Sequence, residues 1–299
     1  MARTATARTA AARTAAARTA AARVGVAHGE NPVRRPASRV RSWPRRRHTG
    51  VEDTVLKDAT AVVTGGSRGI GRAIVERLCR DGASVLFTYV KDEGAAEAVV
   101  RAVEADGGAA RAMRVDLGEE GAPERLMEAA EERLGGLSIL VNNAATSFTP
   151  TPLASTDVEV FDTVMAVNTR SVFLTMRYAA RRMRDGGRIV NISTLNTVRP
   201  APGIAPYAAS KGAVEQLTAV AARELGPRGI TVNTVSPGAT DTELLRTTNP
   251  QQALDAVAGM TPLGRLGQPA DVADVVAFLV GPDGRWITGQ NLRATGGLG

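Results

Sequence analysis

Tyr207 and Lys211 stand four residues apart at the start of a predicted helix over 207–225, so their side chains share a face. A phenol with a pKa of about 10 is a poor proton donor, and its anion is scarce at neutral pH. An ammonium one turn away stabilises that anion and brings the pKa toward the range where acid–base catalysis works best. Val214 and Ala221 lie on the same face, which turns the lysine toward packed protein. A lone lysine would more often lay its stem along the surface and keep its head in water; the tyrosine gives this one a task. Histidine proton chemistry is excluded from the folded body, which leaves Tyr, Lys, Ser/Thr and carboxylates. Both histidines, His28 and His48, fall in the first 50 residues, and the single cysteine is Cys79. The rest of the chain cannot build a Ser-His-Asp hydrolase or a histidine-ligated metal site, and one chain cannot form a disulfide framework. Cys79 sits between apolar positions of a predicted helix and reads as a buried, inert thiol.

A second cluster of chemistry-bearing residues is Gly65-Gly66-Ser67-Arg68-Gly69-Ile70-Gly71. It follows the apolar, β-branched run Ala59-Thr60-Ala61-Val62-Val63-Thr64. It also opens a helical pattern with Ile70, Ile74 and Leu78 on one face. A glycine-rich turn between strand and helix is where a pyrophosphate meets backbone N–H groups at a helix N-terminus. On this reading Gly65 permits the tight turn, while Gly69 and Gly71 let the phosphates approach.

The rest of the chain must position these two clusters. Strand patterns at 83–89, 110–115, 137–142, 187–193, 230–235 and 286–293 alternate with helical patterns at 95–104, 123–134, 161–183, 207–225 and 271–280. That alternation predicts parallel βαβ units in one α/β doubly wound sheet of about seven strands, with helices on both faces. Right-handed crossovers place the carboxyl ends of the strands on one edge, where ligands bind. In the long helix, Phe161, Met165, Asn168, Val172 and Met176 form one stripe, so an amide that needs hydrogen-bond partners interrupts an apolar face.

Taken together, residues 55–297 resemble the short-chain dehydrogenase/reductase family. The resemblance rests on Thr64-Gly65-Gly66-Ser67-Arg68-Gly69-Ile70-Gly71, Asp116-Leu117, Asn142-Asn143-Ala144-Ala145, Asn168, Tyr207-Ala208-Ala209-Ser210-Lys211, Ser236-Pro237-Gly238-Ala239-Thr240-Asp241-Thr242, Pro262-Leu263-Gly264-Arg265 and Ile287-Thr288-Gly289-Gln290, in this order. It implies a Rossmann-type domain over 51–299 that moves a hydride reversibly between a nicotinamide cofactor and a carbonyl/alcohol pair. The members most alike are 3-oxoacyl-thioester reductases and small-molecule ketoreductases. The spacing of four between tyrosine and lysine disfavours the enoyl reductase branch. Tyr207 would exchange the proton, Lys211 would also hold the nicotinamide ribose, and the carbonyl of Asn168 would anchor a water in a proton relay. The implied cofactor contacts are Gly65, Ser67, Arg68, Gly69, Ile70, Gly71, Tyr89, Asp116, Leu117, Asn143, Ala144, Tyr207, Lys211, Pro237, Gly238, Thr240 and Thr242. A homotetramer, or a homodimer, is the implied assembly.

The sequence departs from the family pattern in two places. The serine expected thirteen residues before the tyrosine is Thr194, with Ser193 one residue away, so either hydroxyl could hold the substrate oxygen. Ala145 stands where the family usually has glycine. The cofactor can be read from charge. NAD-specific relatives end the second strand in a carboxylate that holds the ribose. Here that position is Tyr89 and no acid follows until Asp92, while Arg68, with Lys91 as helper, could meet a 2′-phosphate; this favours NADPH. The substrate would lie under a lid over 240–261 that includes Leu244, Leu245 and Met260. The alternative to an enzyme is a cofactor-binding sensor or scaffold that has lost turnover, for which Thr194 is the ground.

Residues 1–50 read differently. They hold twelve arginines and one acid, giving +11, whereas the remaining 25 basic and 29 acidic residues give −4. Arg3, Arg8, Arg13, Arg18 and Arg23 recur every five residues, a period that builds no apolar face on helix or strand. A disordered upstream extension fits best; an organelle targeting peptide and a nucleic-acid arm are the alternatives, the latter lacking interleaved aromatics. No apolar run reaches the roughly 18 to 20 residues of a membrane span. The expected setting is cytoplasmic and the expected partner a small-molecule carbonyl compound, with no nucleic acid and no membrane.

Overall fold

A computed structural model describes residues 54–146 and 149–299. The expectation for residues 1–50 falls outside the described residues. Seven parallel strands form one sheet in the order β3-β2-β1-β4-β5-β6-β7. They are β1 (Thr60–Val63), β2 (Ser84–Tyr89), β3 (Ala109–Arg114), β4 (Ile139–Asn142), β5 (Arg188–Ile192), β6 (Thr231–Pro237) and β7 (Asn291–Ala294). Successive strand residues enter opposite cores. Ala61, Val63, Val85 and Phe87 face one layer, with α1 (Gly69–Arg80), α2 (Glu93–Ala105) and α9 (Pro269–Val280). Val62, Leu86 and Leu140 face the other, with α3 (Ala122–Leu134), α5 (Ser171–Arg182) and α6 (Ala205–Leu225). Burial on both faces explains why these strands read as continuous apolar runs.

The strand order reverses between β1 and β4, which opens a crevice at the carboxyl edge of the sheet. The expected elements are present with two corrections. The helix expected over 161–183 is α4 (Val158–Met165), one π-helical turn (Ala166–Arg170) and α5. The inserted residue rotates the succeeding helix by about 100°, so the expected stripe cannot be buried along its length. Asn168, Val172 and Met176 are buried, but Phe161 is exposed. The last strand is β7 rather than 286–293, because Trp286 lies on a loop and is 94% exposed.

Candidate active site

The glycine-rich turn after β1 is shaped from its own neighbours. Thr64 Oγ1 accepts hydrogen bonds from the backbone N–H groups of Asn143 and Ala144, at 2.9 and 3.0 Å. Asn143 Nδ2 donates to the carbonyls of Thr64 and Gly65, at 2.9 and 3.0 Å. Gly65 N–H donates to Thr88 Oγ1 at 2.9 Å. The turn is thus bolted to the ends of β2 and β4 before any ligand arrives. Gly65 and Gly69 have φ of +68° and +54°, a region other residues rarely adopt. Gly71 has a packing role as well: it is buried, and a Cβ there would lie 2.0 Å from the Gly65 carbonyl. Its missing side chain lets α1 pack onto the turn.

α1 begins at Gly69 with Arg68 as its N-cap residue, no side chain caps it, and its first turn holds no acid. Backbone N–H groups without a side-chain cap and the positive end of the helix dipole could hold an anion there. Ser67 is half-buried and Arg68 exposed beside it, while Ile70 packs partly into the first core. The residues expected at the other strand ends gather along the same edge. Tyr89 closes β2, and its hydroxyl donates to Glu93 Oε1 at 3.4 Å. Asp92 is taken up as the N-cap of α2, accepting from Ala95 N–H at 2.8 Å. Asp116 follows β3 and accepts from Gly118 N–H at 2.9 Å. It helps line a cavity of about 340 Å³ with Val90, Arg114 and Arg125, and Leu117 beside it is buried. Ala145 is exposed at the rim. Pro237 ends β6, and Gly238 N–H donates to Ala294 O at 3.0 Å. Thr240 is buried, and Thr242 caps α7 (Glu243–Thr248) and reaches Gly69, whose added Cβ would meet its methyl at 3.3 Å. The segment expected as a lid is α7 and α8 (Gln251–Met260), with Leu244 and Met260 exposed.

Three side chains converge beyond β5. Thr194 hydrogen-bonds the Tyr207 side chain, and its Oγ1 accepts from Asn196 N–H at 3.3 Å. Ser193 is engaged elsewhere: its Oγ donates to Glu215 Oε1 at 2.7 Å. The structure thus separates the two hydroxyls that spacing alone left open. Lys211 is 2% exposed, its Nζ donates to the Ile192 carbonyl at 2.8 Å, and it lies 6.0 Å from the centre of the Tyr207 ring. Burial lowers its pKa to about 8. Burial also raises the Tyr207 hydroxyl above its ordinary value, opposed by the Thr194 hydrogen bond. That direction is opposite to the one expected from a neighbouring ammonium, because desolvation of the phenolate dominates here. Burial pushes the Cys79 thiol up to about 12, which fits an inert role.

Asn168 is fully buried within the π turn. Its Oδ1 accepts from Thr146 N–H at 2.8 Å and its Nδ2 donates to Ser210 Oγ at 3.2 Å. Ser210 Oγ donates in turn to the Tyr207 carbonyl at 2.7 Å. Asn168 is therefore linked to Tyr207 through Ser210, which the sequence reading did not single out as a site residue. Thr88 and Glu215 were missed too, since each acts across 22 or more residues of chain.

A family model described as "Enoyl-(Acyl carrier protein) reductase" matches residues 65–299. An uncharacterized oxidoreductase of Methylorubrum extorquens is 40% identical over 245 residues, which is 81% of this chain and 98% of that protein. A short-chain dehydrogenase from Burkholderia cenocepacia, solved in complex with NADP, is 43% identical with a TM-score of 0.76, covering 81% of this chain and 98% of that one. The angucycline C-6 ketoreductase LanV, solved with bound NADP, is 41% identical with a TM-score of 0.77, covering 81% and 96%. A match of this extent, to chains covered almost end to end, leaves no other family open: the chain belongs to the short-chain dehydrogenase/reductase oxidoreductases.

Proposed function

We propose that the protein reduces a ketone to a secondary alcohol with NADPH, and that Tyr207 donates the proton. The observation that carries this reading is the meeting of the Tyr207 and Thr194 hydroxyls beside buried Lys211. Two hydroxyls aimed at one point suit a single carbonyl oxygen. The residues at the sheet edge fit the cofactor, since the uncapped, acid-free start of α1 suits a pyrophosphate and Arg68 stands free to meet a 2′-phosphate. NADP-bound neighbours support the same choice. Bound there, the reduced nicotinamide supplies the hydride.

The chain's own residues handle the proton. Burial favours the neutral phenol, so Tyr207 keeps its proton until the substrate oxygen takes it. Below about pH 8 Lys211 carries its charge, which balances the phenolate left behind. Thr194 holds the substrate oxygen while negative charge builds on it. Asn168, through Ser210, fixes the first turn of α6 that carries Tyr207. A scaffold without turnover rests on threonine in the serine's place; that hydroxyl meets Tyr207, so the enzymatic reading is preferred. An exposed apolar groove of about 820 Å³ along α4, α5 and α6, lined by Met165, Phe173, Leu217 and Val220, suits pairing with a second copy.

The test mixes the protein with NADPH and ethyl acetoacetate, 2,3-butanedione, menadione or crotonyl thioester, and follows loss of cofactor absorbance. Reduction of at least one carbonyl compound to its alcohol, with the crotonyl double bond untouched, is the expected result. Reduction of the double bond alone would overturn the proposal in favour of enoyl chemistry. Cofactor binding without turnover of any probe would favour the scaffold.

A further inference from the structure

Helix α6 is fastened to three consecutive residues at the end of β5. Thr218 Oγ1 accepts from Asn191 Nδ2 at 2.8 Å, Lys211 Nζ donates to the Ile192 carbonyl at 2.8 Å, and Glu215 Oε1 accepts from Ser193 Oγ at 2.7 Å. The first two links join side chains the fold already needs, a buried polar pair and the catalytic lysine. The third is different. It uses a carboxylate to hold a hydroxyl that has no place in the proton chemistry. Ser193 N–H also donates to Val235 O on β6 at 2.8 Å, so Ser193 is held at both ends. The next residue is Thr194, whose backbone is extended and whose side chain meets Tyr207. Tyr207 stands two turns before Glu215 on the same helix, so tying Ser193 to Glu215 fixes the height of the adjoining Thr194 against α6 and with it the place of the Thr194 hydroxyl.

We propose that Glu215 is a positioning residue: by holding Ser193, it keeps the Thr194 hydroxyl against Tyr207. This rests on the roles proposed for Thr194 and Tyr207. Without the carboxylate, Ser193 Oγ has only the Lys211 carbonyl at 3.5 Å, and the Ser193–Thr194 segment can rotate. Glu215→Gln keeps an acceptor oxygen at the same reach, whereas Glu215→Ala removes it.

The experiment measures NADPH-dependent reduction of 2,3-butanedione by the full chain and by Glu215→Ala, Glu215→Gln, Ser193→Ala, Thr194→Ala and the Thr194→Ala/Glu215→Ala double variant. In Glu215→Ala and in Ser193→Ala, kcat should fall about tenfold, with KM for NADPH unchanged and Glu215→Gln close to the starting enzyme. The double variant should be no slower than Thr194→Ala alone, because the second change acts only through the first. A readout free of turnover is the ionisation of Tyr207, followed as phenolate absorbance against the Tyr207→Phe protein. Loss of either Thr194 or Glu215 should raise it by about one pKa unit. Additive losses in the double variant, or an unshifted Tyr207 titration in Glu215→Ala, would overturn the proposal. If Thr194→Ala itself changes neither rate nor titration, the underlying assignment of Thr194 fails instead.

Discussion

Lys211 gives the protein a pH dependence that can be worked out before any substrate is known. Replacing Lys211 by methionine removes a buried amine whose pKa is lowered from 10.5 to about 8. At about 1.36 kcal/mol per pKa unit, that displacement corresponds to about 3 kcal/mol. The folded pKa lies below the unfolded one. Below pH 8 both states carry the proton and the folded protein bears the full cost of a buried charge. Between pH 8 and 10.5 the unfolded chain keeps the proton and the folded chain has lost it, so stability rises with pH. Tyr207 acts in the opposite sense: its pKa is raised in the fold, and the stability it contributes is lost at still higher pH. The useful window therefore runs from about pH 7 to about pH 10. Urea unfolding of cofactor-free protein across it should show the starting protein gaining about 2 to 3 kcal/mol relative to Lys211→Met. The lost hydrogen bond to Ile192 gives the variant an offset, but not a slope. A difference that is flat with pH, or that shrinks as pH rises, would refute the burial argument.

Other consequences concern the turn and the hydroxyls. Gly71→Ala puts a methyl 2.0 Å from the Gly65 carbonyl, so unfolding free energy should drop by about 1 to 3 kcal/mol and NADPH affinity, measured by its fluorescence, should fall with it. Arg68→Ala should raise KM for NADPH by roughly 10- to 100-fold and leave that for NADH nearly unchanged, since each charge-assisted contact to the 2′-phosphate is worth about 1.5 to 3 kcal/mol; equal losses would sink the cofactor assignment. Thr194→Ser should keep activity and Thr194→Ala should cost roughly 10²- to 10³-fold in kcat, as for loss of one oxyanion donor. Ser193→Ala, which keeps the Thr194 hydroxyl and removes only the link that steadies it, should cost less, about tenfold.

Much of the architecture was readable because strand and helix signals repeat locally. The runs at 60–63 and 84–89 are apolar on both faces, and Asp81-Gly82 stops α1 where the next strand begins. Tyr207 and Lys211 were readable for the same reason, being one turn apart. What stayed hidden acts across distance or by a single inserted residue. The π turn at 166–170 is invisible to a 3.6-residue period, because it changes which side of the stripe is buried without breaking the apolar pattern. Ser193 is taken up by Glu215, 22 residues downstream, and no spacing rule connects the two. The direction of the Tyr207 shift was missed because burial, which a sequence does not display, outweighs the neighbouring charge. Gly71 was readable as a glycine but not as the packing contact it makes.

In the proposed mechanism the Tyr207 hydroxyl delivers the proton to a ketone, while most of the expected cofactor contacts lie on other residues, the glycine-rich turn above all. The direct measurement compares the protein with Tyr207→Phe in single-turnover reduction of 2,3-butanedione by NADPH, alongside NADPH binding by fluorescence. The ring stays and only the hydroxyl leaves, so the rate should fall roughly 10²- to 10⁴-fold with the dissociation constant for NADPH essentially unchanged. A variant that binds NADPH and reduces the diketone at the original rate would contradict the account.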